Sequence, residues 1–398
     1  MYTHVHFFLR STILIPLLFC PFFSAASPSE ETPKTVLYPD PFLSTRAAGM
    51  GGALSTLADG VHAPFYNPAG IGGLHWEKTT PPTIRQLNLP YVGAGLNTNT
   101  TSLNHEFSQE GAKSDSDAAE TILRANEGKR QYARTSGLLT AGYNRLIFLQ
   151  ALDYQVAAFR KAGEAADGKN LQAAYRSQSS TGIGFSAVNS TETFYLGIYT
   201  AYQHRTEFSG ALNYATLTTP STRSHVLSEE AASTSGTATN AGMLWVLGPK
   251  SRPALAVVVN NIGGTRYKGS SHAAGSTETQ DPETVTVGAS ISPRIGSHGS
   301  FNWILEGQDL TNQEISVGKK WRTGMEITWG GFGSEGWLGL RVGYNPTGFS
   351  GGINLNFGLL QFEFASSVQD IGLGNYIVAE RRNLAVISVN AREDVRAK

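Results

Sequence analysis

"WLGLRVGYNPTGFSGGINLNFGLLQFEFASS", residues 337–367, decides the fold. Leu338, Leu340, Val342 and Tyr344 alternate with Gly339, Arg341 and Gly343. After the "NPTG" turn, Ile353, Leu355 and Phe357 alternate with Asn354 and Asn356, and beyond Gly358 Leu360, Phe362 and Phe364 alternate with Gln361, Glu363 and Ala365. Successive side chains of a strand point to opposite faces, so each segment reads as a strand with one apolar and one small or polar face.

The same period of two continues upstream. "TVTVGASIS" sets Val285, Val287, Ala289 and Ile291 against Thr284, Thr286, Gly288 and Ser290, and "GIGFSA" sets Ile183 and Phe185 against Gly182, Gly184 and Ser186. Working back from the C-terminus, strands are expected near 382–391, 359–368, 349–357, 336–345, 318–329, 300–309 and 284–293. Further ones fall near 253–262, 240–248, 193–204 and 180–188, the last with 171–179 as an extension, and near 146–159, 136–143 and 84–96. That makes about fourteen.

Alternation alone does not separate a soluble sandwich, apolar inward, from a membrane barrel, apolar outward. Loop lengths do. "NSTE", "GPKS", "RIGSHG", "GGFGSE" and the turn at Gly358 fall on one side. The long stretches 205–239 and 263–283 and "DIGLGNYIVAER" fall on the other, with "NPTG" a short exception. Short turns on one side, long loops on the other and both chain ends on the short side are the pattern of an outer-membrane barrel. The expectation is an all-β, transmembrane antiparallel β-barrel in the bacterial outer membrane over 84–391, with a polar tail at 392–398.

Composition agrees. Only 16% of the 398 residues are charged and 44 are glycine, which suits strands joined by tight turns. The 31 basic residues balance 31 acidic ones, so no one-sided field points to nucleic acid. Arg10 followed by the apolar run Ile13–Phe23 and Ser24-Ala25-Ala26 reads as a signal peptide, residues 1–26. Cys20 is the only cysteine, and the bulky "LLF" before it does not suit a lipoprotein signal. The mature chain therefore has no disulfide. After the signal, no stretch holds the ~18 consecutive apolar residues of a transmembrane helix, while a closed barrel remains free to satisfy every backbone group in lipid.

"RAAGMGGALSTLADGVHAPFYNPAGIGGL", residues 46–74, carries seven glycines near the N-terminus. A phosphate loop would need a strand before the glycines, a helix after them and a lysine beside the last, and none is present. The segment resembles the N-terminal hatch of the FadL family, outer-membrane transporters of long-chain fatty acids and other hydrophobic compounds. Ala58-Asp59, Asn67, Pro68 and Ala69 match the family's "A-D" step and N-P-A turn. The rest is similar to a looser branch of that superfamily, which includes PorV-type secretion components and TraF-like proteins. The matching stretches are "NAGMLWVL…PALAVVVNNIGGTRY", "ETVTVGAS", "WILEGQDL", "LRVGYN" and "GINLNFGLLQFEFASS".

The resemblance implies a fourteen-stranded barrel plugged from within by a hatch, residues 27–83 forming the N-terminal extension and the hatch. Gly49, Gly51, Gly52, Asp59, Asn67, Pro68 and Ala69 are then hatch or gating candidates. Small residues let the hatch backbone lie close to the wall, and Asn-Pro makes a rigid turn. Glu306, Glu326, Arg341 and Glu363 fall on the interior face, as a charge network that holds shape or as substrate contacts. Glu326 and Arg341 lie close to a cross-strand pair.

The implied function is binding or passage of small hydrophobic, fatty-acid-like molecules across the outer membrane. The alternative is a PorV-like barrel that anchors or shuttles exported proteins, with 205–239 and 263–283 as the surface for a secreted-protein partner. The interior-facing positions are polar or small, whereas a fatty-acid tunnel needs an apolar lining. The short helix expected in "SDSDAAETILRANEGKR", with Asp117 and Glu120 as a capping box, would pack on the barrel. Catalysis is not expected: Ser224–His225 and Ser271–His272 are sequence neighbours in polar loops, which does not make a triad. The scattered histidines have no metal-ligand spacing, so neither a metal nor another cofactor is expected.

Overall fold

The computed structural model describes Phe42 and residues 44–72, 85–101, 128–143, 145–160, 171–212, 231–248, 251–271, 275–296, 299–313, 315–330, 337–371 and 378–393. The expected signal peptide, most of the 114–130 helix and the last five residues lie outside them.

The strands are β1 (Arg85–Asn97), β2 (Gln131–Tyr143), β3 (Leu146–Arg160), β4 (Leu171–Val188), β5 (Phe194–Leu212) and β6 (Ala232–Val246). Next come β7 (Ala254–Asn260), β8 (Thr265–Ser271), β9 (Gly275–Asp281), β10 (Thr284–Ile291), β11 (Arg294–Ile295) and β12 (Gly299–Gly307). The last are β13 (Trp321–Trp329), β14 (Leu338–Asn345), β15 (Gly348–Asn356), β16 (Leu360–Asp370) and β17 (Ala379–Glu393). Neighbours pair antiparallel, β7 pairs with β10, and β1 pairs with both β2 and β17, which closes the sheet. β8 and β9 prolong β7 and β10 as a hairpin and β11 prolongs β10, so the wall is a closed antiparallel barrel of fourteen strands. Closure removes the free edges of the wall.

The apolar face points outward. Val342 and Phe349 are 59% and 69% exposed, whereas Glu326 and Arg341 are 1% and 5% exposed. A charged interior under an exposed apolar belt is stable only where the belt meets lipid. β13 shows the belt's height: Trp321 and Trp329 bracket the outward Met325 and Ile327. Those tryptophans are eight residues apart, about 26 Å along the strand, or about 20 Å across the membrane once the strand is tilted, which fits within a lipid band of roughly 25 Å flanked by aromatic girdles. Among the described residues no helix is long and apolar enough to cross a membrane.

Two stretches differ from expectation. β5 runs on to Leu212 and β6 starts at Ala232, so both ends of 205–239 are strand; 263–283 contains the β8–β9 hairpin, which also pairs with β6. The described parts of these two stretches are largely ladder, while 213–230 and 272–274 lie outside the described residues. The physical reason is that outward positions beyond the lipid band meet water. His204 and Thr206 stand where Leu196 and Ile198 stand lower on β5, so hydrophobic alternation fades while pairing continues.

β1 bulges against both neighbours between Asn88 and Tyr91, at Leu89–Pro90. Proline has no N–H for a ladder, and a bulge is where a strand tolerates it.

Candidate functional site: the hatch and the chamber beside it

Ser44–Gly72 folds inside the barrel. A short helix, Thr45–Gly49, is capped by the Ser44 hydroxyl, which accepts from Ala47 N at 3.1 Å. The chain then turns through Gly51 and Gly52, both at positive φ, which glycine adopts without strain. A second helix, Ala63–Tyr66, and a 3-10 turn, Pro68–Gly72, complete the segment. These elements are too short to be stable alone; the wall holds them.

One anchor is ionic. Arg46 of the hatch donates Nε to Glu326 Oε1 at 3.0 Å and Nη2 to Glu326 Oε2 at 2.6 Å, and Nη1 to Asp59 Oδ1 at 3.0 Å. Glu326 stands directly opposite Arg341 in the β13–β14 ladder. Arg341 donates Nε to Glu326 Oε1 at 2.9 Å and Nη1 to Glu363 Oε2 at 2.7 Å. Glu363 in turn accepts from Thr45 Oγ1 at 2.5 Å. Glu306 Oε2 accepts from the hatch amides of Leu54 and Ser55 at 3.1 and 2.7 Å. All four interior charges named from sequence thus lie against the hatch. Arg46, the cation that the hatch itself supplies, is not marked by strand alternation; it and Asp59 are the two charged side chains within 44–72.

The second anchor is steric. Gly184, Gly197, Gly242, Gly288, Gly324, Gly343 and Gly352, each on a different strand, face the hatch so closely that a Cβ would press on it. At Gly343 it would overlap the backbone of Met50 and Gly51, and at Gly197 that of Pro68 and Ala69. From the other side, a Cβ on Gly51 would lie 2.8 Å from Tyr344 N, and one on Gly49 3.3 Å from Gly352 Cα. A Cβ at Gly52 would meet the Arg322 side chain. Sequence showed glycines on the polar faces of strands; only the fold shows that they meet a second glycine-rich chain.

The third anchor is the Asn-Pro turn. Buried Asn67 donates Nδ2 to Ser55 O at 2.8 Å and to Met243 O of β6 at 3.3 Å, while its Oδ1 accepts from Ala69 N at 3.0 Å. Ala69 O accepts from Ser186 Oγ at 2.8 Å.

Opposite the charges, the hatch meets an apolar chamber. Phe42 is buried among Tyr91, Leu138, Leu149, Tyr199 and Val386 of the wall, with Val61 and Phe65 of the hatch packed on them. Ring centroids stand 4.7 Å apart for Phe42–Phe65, 5.1 Å for Phe42–Tyr91 and 5.9 Å for Phe42–His62. Farther toward the long-loop end the interior is polar again, with Arg134–Asp153 at 2.6 Å and Arg130–Glu380 at 2.8 Å. On the other flank a polar cavity lies between hatch and wall, lined by Arg46, Asp59, His62, Asn302, Glu326 and Asn354 among others.

His62 touches both spaces. Burial, helped by the Arg46 and Arg341 cations and opposed by Glu363 and Asp59, pushes its imidazole down to about 4. A released hatch would carry an ordinary histidine near 6.5. Above that pH neither state is charged and docking is unaffected. Below it the released hatch takes up a proton that the docked hatch refuses, so docking weakens as pH falls toward 4. The expected loss approaches 1.4 kcal/mol per pH unit. Protection factors of the Ala63, Phe65 and Tyr66 amides, corrected for the intrinsic pH dependence of exchange, should fall between pH 6.5 and 4.5 in wild type and stay level in His62→Gln; equal pH dependence in the two would refute it.

Ser224 and His225 lie outside the described residues, as does His272, so no serine–histidine geometry is described for either pair.

No protein-family model and no curated protein matches the chain. Solved structures do. The toluene transporter TbuX of Ralstonia pickettii superposes with a TM-score of 0.50 at 13% identity, covering 89% of this chain and 100% of its own. The Pseudomonas putida toluene transporter TodX gives 0.46 at 10% identity, covering 87% and 97%. A Pseudomonas aeruginosa FadL homologue gives 0.45 at 13%, covering 88% and 98%. The chain shares the barrel fold of TbuX, the FadL-type fold that its N-terminal residues resemble.

Proposed function

We propose that the protein is a bacterial outer-membrane barrel that binds small hydrophobic molecules and passes them inward past a displaceable hatch. The observation that carries this reading is Phe42. Its benzyl group, a ring on a single methylene, fills an aromatic and aliphatic chamber between hatch and wall. Binding sites are typically apolar concavities with few polar groups. Here one is built and occupied by a side chain from the hatch end of the chain. The fold of a toluene transporter supports the same reading. A one-ring ligand suits it better than a long acyl chain, because ion pairs and polar side chains flank the chamber on both sides.

Gating follows from the anchors. The candidates Gly49, Gly51, Gly52, Asp59, Asn67, Pro68 and Ala69 set how firmly the hatch is seated, and Glu306, Glu326, Arg341 and Glu363 hold its charged flank. A ligand entering the chamber displaces Phe42 and loosens the segment that starts at Ser44.

Phe42→Ala tests this. Burying a phenylalanine is worth about 1.5–3 kcal/mol, which a ligand must displace, so toluene should bind the variant roughly 10–100-fold more tightly. Calorimetric titration of the purified barrel in mild detergent reads this. Toluene binding no tighter in the variant than in wild type would sink the assignment of the chamber.

A further inference from the structure

We infer that the loop after β12, residues 308–320, is the outer latch of the hatch, joined to it by Gln308, so that hatch release and loosening of this loop are one coupled event. The inference rests on the hatch being displaceable, as argued above, and not on which ligand displaces it.

β12 starts at a short turn and ends at the long-loop end, so Gln308, the next residue, stands where the interior opens outward. Its side-chain amide donates to Gly52 O at 2.9 Å and to the Glu306 carboxylate, which in turn holds the Leu54 and Ser55 amides. Asn345, at the same end of β14, donates Nδ2 to Gly51 O at 3.4 Å and to Val368 O at 2.9 Å. The Arg322 side chain lies against Gly52. The glycine turn of the hatch is thus gripped from its outer side.

The same glutamine belongs to the loop. Its backbone N–H donates to Lys320 O at 2.9 Å, which closes the loop at its base, and Leu310 N donates to Val285 O at 2.9 Å. The buried Lys320 ammonium donates to Leu310 O at 3.2 Å and to Asn312 O at 2.6 Å. Lys319 pairs with Asp370 Oδ2 of β16 at 2.8 Å, and Asp370 Oδ1 accepts from Val378 N at 3.0 Å. Two lysines of one outer loop are therefore turned away from water, with side chains 8% and 6% exposed. An ammonium is strongly hydrated when free, so both return to solvent once the loop loosens.

The anchors differ in strength. The Arg46–Glu326–Arg341 cluster, deeper on β13, is ionic, and charge-assisted hydrogen bonds are stronger than neutral ones. Gln308 and Asn345 offer the glycine carbonyls neutral bonds, and that from Gln308 is only half-buried. Release starts at this outer end, where a ligand from outside arrives. Coupling is reciprocal: unseating the hatch frees the loop, and loosening the loop weakens the seat.

Both directions are tested on the full barrel. From the hatch side, Gly343→Val should speed tryptic cleavage after Lys319 and Lys320 about tenfold or more, because cleavage follows the population of the open form. Mass spectrometry of the digest in mild detergent reads this. From the loop side, Lys320→Met removes an ammonium whose two hydrogen bonds stay within the loop. Its single-channel openings in planar bilayers should be several-fold more frequent than in wild type. Gln308→Ala should also raise openings, and adding Lys320→Met should raise them no further. Additive effects would show that the loop does not act through Gln308. A Gly343→Val barrel that opens while its loop stays resistant, or Lys320→Met with wild-type openings, overturns the latch and leaves the displaceable hatch standing. A Gly343→Val barrel that stays closed with a resistant loop overturns both.

Discussion

Gly343→Val should unseat the hatch while the barrel still assembles. Gly343 faces inward on β14, and any Cβ there would occupy the space of the Met50–Gly51 backbone. Neither side can yield cheaply. Gly51 is itself pressed against the backbone of Tyr344, and Gly51 O accepts from the Asn345 amide at 3.4 Å. Overpacking a filled interior costs about 1–3 kcal/mol even where side chains can move. Two opposed backbones should place this substitution at or above about 3 kcal/mol, shifting the seated-to-released ratio roughly a hundredfold. The outward neighbours Val342 and Tyr344 are untouched, so the barrel should retain its heat-modifiable migration. Single-channel recording in planar bilayers should show frequent openings where wild type is closed. A closed Gly343→Val barrel would mean that the hatch is not seated on this glycine.

Glu326→Ala should have a comparable effect by another route. Glu326 accepts three hydrogen bonds from Arg46, one from Arg341 Nε and one from Asn302 Nδ2 at 3.0 Å. Its removal leaves two guanidinium groups facing one another, with Asp59 and Glu363 left to match them. Removing one partner of a buried ion pair costs about 3–5 kcal/mol where the other charge is left unmatched, and with these two carboxylates in place the loss should lie toward the lower end. Glu326→Gln retains the shape and the acceptor but loses the charge, so it should fall between wild type and alanine. The order wild type, glutamine, alanine should appear in thermal unfolding and in channel openings alike. Equal stability of all three would show that the network does not hold the hatch.

The wall was largely legible in sequence because lipid imposes one rule on every strand. Outward residues within the belt must be apolar and inward ones need not be, so period two survives at Val285–Ile291 and Leu338–Tyr344. Where that rule lapses, legibility lapses too. The upper parts of β5 and β6 and the β8–β9 hairpin stand beyond the lipid band, and their polar outer faces read as loop. The hatch was legible through a family resemblance rather than through periodicity, because its helices are single turns shaped by the wall. Its partners were half legible. Glu326 and Arg341 stood out as charges on an interior face, but Arg46, Thr45 and the seven wall glycines are recognised only when two distant segments are brought into contact. Phe42 gave no signal: an aromatic two residues before a serine is unremarkable until its ring is found among Tyr91, His62 and Phe65.

The account is tested most directly by crystals of the barrel grown with p-bromotoluene, whose bromine can be located by anomalous scattering. The ligand ring is expected in the place of the Phe42 side chain, between Tyr91 and Phe65, with Phe42 displaced. Bromine confined to the outer lipid-facing belt, with Phe42 still seated at saturating ligand, would contradict the proposal that this chamber is the binding site and Phe42 its resident plug.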